Sequence, residues 1–276
     1  MIKYEGRQAV KEKDLSFVIL TWNSEQYIKE CLKSIIDKCR AESIRFEVFI
    51  IDNGSTDRTK NILEEYKEKL AAIYTIYLDK NYGTTYPRNM ALKKAAGRYI
   101  CILDSDTEIL SGSLRETVQY LEDNVDTGII APKLILQSGE VQNSVKKFPT
   151  VLHKLEKIKS IIGIRASRNL DFYEGFPFSE KTEVDTAISA CWIFRRSLLD
   201  AVGYLDEKIF YAPEDVEYCL RIWKMGKKII YYPGLEILHN TQQLTHNNPF
   251  SRVALSHLGG LLYYFRKHSS WFSTKF

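Results

Sequence analysis

The sequence predicts an α/β fold with a mostly parallel, Rossmann-like sheet and helices on both of its faces. From Leu15 onwards, short apolar runs rich in β-branched and aromatic residues alternate with amphipathic segments, which is the pattern of consecutive βαβ units. The predicted strands are 15–21, 46–52, 73–78 and 98–104, and the predicted helices between them are 27–39, 59–69 and 87–96. The second half is less regular, with strand-like segments at 128–136, 184–196 and 227–232 and a helix between Pro213 and Gly226.

The composition argues against several classes of protein. With 39 Lys and Arg against 35 Asp and Glu, the 276-residue chain has a formal charge of only +4, too balanced for a dedicated nucleic-acid binder. Five widely spread cysteines without a C-x-x-C pair predict neither a zinc site nor a disulfide framework. The sequence shows no signal peptide and no run of roughly eighteen apolar residues that would span a membrane. We therefore expect a cytoplasmic protein.

Four polar clusters follow the first four predicted strands, each at the point where a strand ends. They are TWNS (21–24), DNGSTD (52–57), DKNYG (79–83) and DSD (104–106). Ligands of open α/β sheets bind beyond the carboxyl ends of the strands. Because the ends of parallel strands share one edge, we expect all four clusters to line one ligand site.

Asp104 and Asp106 are the candidate metal ligands. Two carboxylates separated by one residue at a strand end can face one cavity, where oxygen ligands suit Mg²⁺ or Mn²⁺ held together with substrate phosphates. An isolated D-x-D is also a common solvated turn, but its position after the apolar run ICIL favours the metal site. His239, after LEIL, is either a hydrogen-bonded structural residue or a further ligand, with His246 as the alternative ligand.

Residues of the second cluster have two compatible interpretations. Asp52, at the end of FIID, can accept hydrogen bonds from a nucleobase or ribose, and ligand contact is its favoured role. Ser55 and Asp57 are explained equally well as a turn and a helix cap.

The first cluster gives a weaker signal. Trp22 can stack on a base while Asn23 or Glu25 reads its polar edge. An N-cap formed by Asn23 or Ser24 accounts for the same residues.

Glu214 and Asp215 open a predicted amphipathic helix and are the candidate catalytic carboxylates. Acidic residues in the first turn of a helix are stabilised by its dipole in any case, so helix decoration is the alternative. In the functional interpretation, one carboxylate is a general base that takes the proton from an attacking hydroxyl.

Together these motifs resemble those of family 2 glycosyltransferases with the GT-A nucleotide-sugar fold, and most closely the rhamnosyltransferase-like bacterial subgroup. The motifs are TWNSE (21–25), DNGSTD (52–57), NYG (81–83) with PRN (87–89), LDSD (103–106) and PEDVEYCLR (213–221). The likeness covers about 15–239, and its specificity lies in five motifs in the right order at strand ends. It implies an inverting enzyme that moves a sugar from a nucleotide-sugar donor to an acceptor hydroxyl.

The resemblance also implies a role for each matching residue. Asp106 and His239 would bind Mg²⁺ or Mn²⁺, Asp215 would be the general base, and Glu214 would contact acceptor or sugar. The residues implied to surround the nucleotide-sugar are Thr21, Trp22, Asn23, Glu25, Asp52, Ser55, Asn81, Arg88, Asp104 and Ser105. Subgroup likeness indicates a dTDP-rhamnose donor, with UDP-hexoses remaining open, and a glycan or lipid-linked acceptor.

The chain departs from the family before Arg195. Relatives often have a Gly-Ala pair where this chain has Ser189 and Ala190, followed by Cys191 and Trp192. Because that segment usually borders the acceptor, Trp192 is a candidate platform for a sugar ring, and a buried strand tryptophan is the alternative.

Two other functions compete with the transferase hypothesis. A nucleotidyltransferase predicts a Gly-rich phosphate loop after the first strand, which TWNSEQY lacks. A catalytically silent sugar-nucleotide-binding scaffold of a polysaccharide assembly complex predicts loss of Asp106 or of the Glu214-Asp215 pair, and all three residues are present.

The resemblance divides the chain into three parts. We predict a flexible tail at 1–14, a GT-A catalytic domain at 15–245 and a C-terminal helical extension at 246–276. The domain has a nucleotide-binding half (15–110) and an acceptor and base half (111–245).

Two segments are candidates for peripheral contact with the inner face of the cell membrane or for self-association. Segment 146–168 is basic and amphipathic, and segment 250–276 is apolar and aromatic with a basic end. A helix packed on the core with a solvated basic face is the alternative for 146–168.

Overall fold

The structure is a computed structural model that describes residues 13–151, 154, 171–241, 252–272 and 274, without the side chains of 252–255. The predicted flexible tail lies outside the described residues, except for residues 13 and 14. His246 and most of the basic segment 146–168 also lie outside them.

One sheet of nine strands organises the described chain. The order of eight strands is β3-β2-β1-β4-β10-β6-β11-β5, and β8 pairs with β11. These strands are β1 (Leu15–Thr21), β2 (Phe46–Asp52), β3 (Ile73–Tyr77), β4 (Tyr99–Asp104), β5 (Thr107–Gly112), β6 (Thr127–Ile135), β8 (Thr182–Val184), β10 (Cys191–Arg195) and β11 (Lys228–His239). Two short strands, β7 (Val145–Lys146) and β9 (Thr186–Ala187), form a separate antiparallel pair.

The first four strands are parallel, as the βαβ pattern predicts. The pairing of β1 with β2 puts Thr21 opposite Asp52, and its pairing with β4 puts Leu20 opposite Asp104. Nearly all residues of β1, β2 and β4 are buried, as expected for strands that are covered on both faces. The carboxyl ends of these strands, with the polar clusters after them, therefore lie at one edge.

Helices cover both faces of the sheet. On one face, α1 (Ile28–Ala41), α2 (Thr59–Lys69) and α4 (Leu114–Asp123) pack against one hydrophobic core. On the other face, α3 (Thr85–Leu92), α5 (Ser197–Val202), α6 (Glu214–Lys224) and α7 (Arg252–His268) pack against a second core. The predicted α/β class with two covered faces is confirmed.

The second half of the sheet positions His239. The predicted strand at 227–232 continues to His239, with register shifts between Tyr232 and Glu236. The far end of β11 pairs with β5, which the sequence pattern did not reveal, and puts His239 opposite Thr107. His239 is thereby brought beside the cluster at 104–106, although 133 positions separate it from residue 106 in the sequence.

The C-terminal helix α7 packs into the second core. Leu261, Tyr264 and Phe265 are buried there with residues of α6. In the described part of the chain, no helix combines the length and apolar character needed to cross a membrane. All five cysteines are free and buried.

Candidate active site

The loops that follow β1, β2 and β3, here called the strand-end loops (21–25, 52–57 and 79–83), are tied together by hydrogen bonds. Asp52 is fully buried and accepts from the Thr21 hydroxyl (3.1 Å) and from the backbone N–H of Ser55 (3.1 Å). The Ser55 hydroxyl accepts from the backbone N–H of Asn23 (2.9 Å), which has a left-handed φ of 50°. Thr21, Asp52 and Ser55 thus stabilise the loop framework in this structure.

The first two loops are joined by further contacts. Glu25 accepts from the backbone N–H of Arg58 (2.9 Å), and Asn23 accepts from that of Thr56 (2.9 Å). Helix α1 begins at Ile28 without a side-chain cap, so the N-cap interpretation of Asn23 and Ser24 was wrong. The Ser24 hydroxyl instead lies 2.8 Å from that of Ser105, which connects the first loop to the 104–106 cluster.

Asn53 is a central residue that the sequence analysis did not single out. Its amide nitrogen donates to Asn81 Oδ1 (3.0 Å) and to the Gly83 carbonyl (2.8 Å), while its oxygen accepts from the Tyr82 N–H (2.8 Å). Asn81 therefore holds the third loop against the second. Trp22, by contrast, is 44% exposed and is available to contact a ligand at this edge.

Asp104, Asp106 and His239 form a candidate metal site. Each residue offers one ligand atom, and the three atoms lie within 4.8 Å of one another. His239 Nε2 is 3.6 Å from Asp106 Oδ1, while its Nδ1 is 2.7 Å from Gln142 Oε1. A bond from Nδ1–H to Gln142 leaves the Nε2 lone pair directed at the acidic residues, as a metal-binding histidine requires.

The electrostatics of this cluster favour a cation. Burial and the charge of Asp104 hold the pKa of Asp106 well above its usual range. Burial lowers the pKa of His239, which keeps the imidazole neutral and able to ligate a metal. Two close carboxylates with a neutral imidazole fit Mg²⁺ or Mn²⁺, because a divalent ion would relieve the repulsion between the acids.

Arg88 connects the metal cluster to the start of α6. Its buried guanidinium donates to Asp104 Oδ1 (2.5 Å) from Nη2, and its Nη1 lies 3.4 Å from Glu214 Oε1. The Ser189 hydroxyl accepts from Arg88 Nη1 (2.9 Å) and donates to Glu214 Oε1 (3.1 Å). We call Arg88, Asp104, Ser189, Glu214 and Asp215 the base-side cluster. This cluster connects the candidate metal site to the start of α6.

The two carboxylates at the start of α6 differ in environment. Burial and the charge of Asp215 raise the pKa of Glu214, against the opposing effect of Arg88. Asp215 is half-buried, accepts from the backbone N–H of Val216 (2.8 Å), and pairs with no cation among the described residues. Burial raises the pKa of Tyr211 to about 12, and the charges of Glu214, Asp104 and Asp215 act in the same direction. Tyr211 therefore lies among these carboxylates, a position that the sequence did not predict.

Trp192 does not offer a platform for a sugar. Its side chain is fully buried in β10 and stacks on Tyr218, with 6.0 Å between ring centroids. The alternative of a buried strand tryptophan describes it, because its side chain lies in the second core together with Tyr218 of α6.

The fold and the site agree with the family indicated by the motifs. Residues 16–203, more than half of the chain, match glycosyl transferase family 2, and the chain belongs to this family. The carboxylates of α6 and His239 lie beyond the matched residues.

Two curated relatives carry glycosyltransferase names, which supports the predicted enzyme class. The chain is 25% identical over 270 residues to the N-acetylglucosaminyl-diphospho-decaprenol L-rhamnosyltransferase of Mycobacterium tuberculosis, covering 93% of this chain and 86% of that protein. It is 32% identical over 107 residues to TuaG of Bacillus subtilis, a glycosyltransferase assigned to teichuronic acid biosynthesis. That match covers 39% of this chain and 41% of TuaG, so the chain aligns with less than half of that relative.

A solved structure confirms the GT-A fold. The crystal structure of GalNAc-T7 with UDP, GalNAc and Mn²⁺ superimposes with a TM-score of 0.69 at 15% sequence identity. The match covers 94% of this chain and 48% of that one.

Proposed function

We propose that this chain transfers a sugar from a nucleotide-diphosphate sugar to an acceptor hydroxyl by an inverting single displacement, with a divalent metal and with Asp215 as general base. The supporting observation is the Arg88 bridge. It links Asp104 of the candidate metal site to Glu214, the residue beside Asp215. Because of this bridge, the groups suited to the leaving diphosphate and to the incoming alcohol belong to one site.

The proposed reaction assigns a separate role to each carboxylate. Asp215 takes the proton of the acceptor hydroxyl while the hydroxyl oxygen bonds to the anomeric carbon, and the bond from that carbon to the diphosphate breaks. Glu214, whose carboxylate is held by Arg88 and Ser189, is suited to hydrogen-bond the acceptor or sugar. The carboxylate of Asp215, which is half-buried and pairs with no cation in the described part of the chain, suits a base better than the buried, Arg88-bound Glu214 does.

Asp104, Asp106 and His239 are the residues proposed to hold the ion. When bound, Mg²⁺ or Mn²⁺ supplies positive charge that neutralises the departing diphosphate. Trp22, Asn23, Glu25, Asn81 and Arg88 are proposed to face the nucleotide-sugar, with Thr21, Asp52, Ser55 and Ser105 holding the loops that surround it.

Donor hydrolysis tests the base and the metal together. We expect hydrolysis of UDP-glucose or dTDP-rhamnose by the wild type to require Mn²⁺ or Mg²⁺ and to fall about 100-fold or more in Asp215→Asn. Asp200→Asn, a matched change at an exposed acid, should keep wild-type rates. Equal turnover in Asp215→Asn and wild type would remove Asp215 from the base role. Donor binding without turnover in the wild type would instead support a silent scaffold.

The metal ligands have a binding test that is independent of turnover. Mn²⁺ should raise the melting temperature of the wild type, because an ion that binds only the folded state stabilises it. Asp106→Asn and His239→Ala should each lose most of this shift, whereas Asp200→Asn should retain it. An undiminished shift in both ligand variants would place the ion elsewhere.

The donor and acceptor are proposed by analogy with the relatives. The rhamnosyltransferase relative favours dTDP-rhamnose and a lipid-linked glycan, while GalNAc-T7 was solved with UDP, which keeps UDP-hexoses open. A thermal-shift screen of dTDP-rhamnose, UDP-glucose and UDP-N-acetylglucosamine with Mn²⁺ should show one clearly largest stabilisation. A flat response to all three would argue against these donors.

A lipid-linked acceptor would require contact with a membrane, and we propose the outer face of α7 as that contact. Leu258 (55% exposed), Leu262 (51%) and Arg266 follow one another at intervals of four residues and share one face of the helix. An apolar face with a basic end suits an anionic bilayer. The double variant Leu258→Ser/Leu262→Ser should co-sediment less with phosphatidylglycerol vesicles than the wild type, and equal sedimentation would contradict this proposal.

A further inference from the structure

Segment 206–213 leads directly into the carboxylates of α6 and is held on one side by α3. The backbone N–H of Thr84 donates to the Phe210 carbonyl (2.7 Å), and the Thr85 hydroxyl donates to the Ile209 carbonyl (2.7 Å). These bonds fix the middle of the segment. Its end, immediately before Glu214, contacts a different element.

That element is the C-terminal helix α7, which approaches the segment at Gly260. A Cβ atom on Gly260 would overlap the carbonyl oxygen of Ala212 and would lie 3.1 Å from Pro213 Cδ. The helix backbone therefore packs directly on the peptide that precedes Glu214. Among the described residues, no atom lies within 4 Å of the equivalent position on the neighbouring Gly259. Glycine within a helix costs about 1 kcal/mol relative to alanine, so the close approach gives Gly260 a packing reason.

A second set of contacts ties α7 to the start of the segment and to α6. The Tyr263 hydroxyl (2.8 Å) and Lys267 Nζ (2.6 Å) both donate to Asp206 Oδ2, at the start of the segment. Lys267 Nζ also donates to Glu217 Oε1 (2.6 Å), and His268 Nε2 lies 3.1 Å from the same oxygen. Glu217 is fully buried in the first turn of α6, so α7 is linked to the helix that bears Asp215 as well as to the segment before it.

We propose that α7 is a positioning element of the active site, which sets the location of the Asp215 carboxylate by packing Gly260 against Ala212. The inference rests on the proposed role of Asp215 as base. A catalytic group displaced by about 1 Å can lose about 100-fold in rate, so a small shift of this peptide should affect turnover. The hydrogen bonds described above join the strand-end loops to one another, so donor binding should respond less than turnover.

Adjacent glycines of α7 provide a matched test. Gly260→Ala should lower kcat for hydrolysis of UDP-glucose or dTDP-rhamnose at least about tenfold, while the Kd of the same nucleotide sugar, measured by calorimetry, stays within about twofold. Gly259→Ala makes the same chemical change with open space around it, and should keep wild-type kcat and Kd. Tyr263→Phe, which removes only the hydroxyl bound to Asp206, should lower kcat severalfold and serves as the second variant if Gly260→Ala does not fold.

The outcomes separate this inference from the proposed function. Wild-type kcat in Gly260→Ala, or equal losses of kcat and donor affinity, would overturn the positioning role. If Gly260→Ala does not fold, wild-type kcat in Tyr263→Phe would do the same. Full activity of Asp215→Asn would instead overturn the base assignment, whatever the glycine variants show.

Discussion

The strand-end loops and the base-side cluster meet around Asp104 but are stabilised by different forces. In the loops, mostly neutral side chains bond to backbone groups of neighbouring motifs, as Asn23 N–H bonds to Ser55 across 32 positions. In the base-side cluster, the buried Arg88 joins partners 101 and 126 positions away. One half of the site therefore depends on many modest hydrogen bonds, and the other half depends on a few buried charges.

This difference has energetic consequences. A hydrogen bond between neutral groups contributes roughly 0.5–1.5 kcal/mol, and losing one partner leaves a buried group unsatisfied at a cost of roughly 1–3 kcal/mol. Removing one partner of a buried ion pair costs more, about 3–5 kcal/mol, because the remaining charge has no compensation. Variants of the two regions should therefore differ in magnitude.

The largest expected effect is that of Arg88→Met. This change leaves the Asp104 and Glu214 carboxylates without their shared cation, and should lower the free energy of unfolding by about 3–5 kcal/mol. Arg58→Met is the matched control, since Arg58 is 81% exposed and pairs with Glu25 at the surface, where a pair contributes about 0–1 kcal/mol. Urea unfolding measures both values. Equal losses would contradict the distinction between the regions.

The next largest effect is expected from Glu217→Gln, which tests the ionic contacts between α6 and α7 and their dependence on pH. Burial raises the pKa of Glu217, but His268, Arg221 and Lys267 outweigh this effect and hold it below the ordinary value of 4.5. Because the folded pKa is lowered, the stabilisation is complete above pH 4.5 and is lost as the pH falls through the folded value. Glu217→Gln should cost about 2–3 kcal/mol at pH 7.

Acidification provides the control for this variant. The difference in unfolding free energy between wild type and Glu217→Gln should stay constant from pH 7 down to about 4.5 and narrow below it, since the wild-type carboxylate becomes protonated there. A difference that stays constant down to about pH 3 would show that the charge of Glu217 is not responsible. Urea unfolding at a series of pH values measures it.

The two regions also differ in how well the sequence reveals them. The strand-end loops follow apolar runs of clear periodicity, so their convergence on one edge was predicted and is confirmed by the pairing of Thr21 with Asp52. The second half of the sheet was harder to predict from the sequence. Strand β5 follows β4 after only two residues, and no helix lies between the two strands to separate them in the sequence pattern. Without β5, the sequence gives no physical reason for His239 to reach Asp106.

The role of each residue in the site was harder to predict than its presence there. Asp52 and Asn53 are adjacent, yet which side chain binds the first loop and which binds the third depends on backbone geometry that residue type does not encode. The partners of Arg88 and the contact of Gly260 with Ala212 could not be predicted either. They are tertiary contacts between residues far apart in the sequence, and local periodicity carries no information about them. Trp192 shows the same limit, because its burial depends on the packing of Tyr218 of α6 against it.

A smaller effect is expected from Asn53→Ala in the strand-end loops. The change removes the acceptor of the Tyr82 N–H and the donor to the Gly83 carbonyl, and should cost about 1–2 kcal/mol in urea unfolding. Asn143→Ala, at an exposed position, should have almost no effect. A loss as large as that of Arg88→Met would mean that the loops are no less critical than the buried charges.

The smallest effect on stability should come from Trp22→Ala, and it isolates ligand contact from loop structure. Because the indole is 44% exposed, its removal should change the unfolding free energy by less than about 0.5 kcal/mol. Loss of stacking on a base should nevertheless weaken binding of UDP or dTDP by about two- to twelvefold, the range that an aromatic pair of about 0.5–1.5 kcal/mol provides. Phe272→Ala removes an exposed aromatic ring from the C-terminal segment and should leave the calorimetric Kd unchanged. An unchanged Kd in Trp22→Ala would show that the base binds elsewhere, while a large loss of stability would mean that Trp22 belongs to the loop framework.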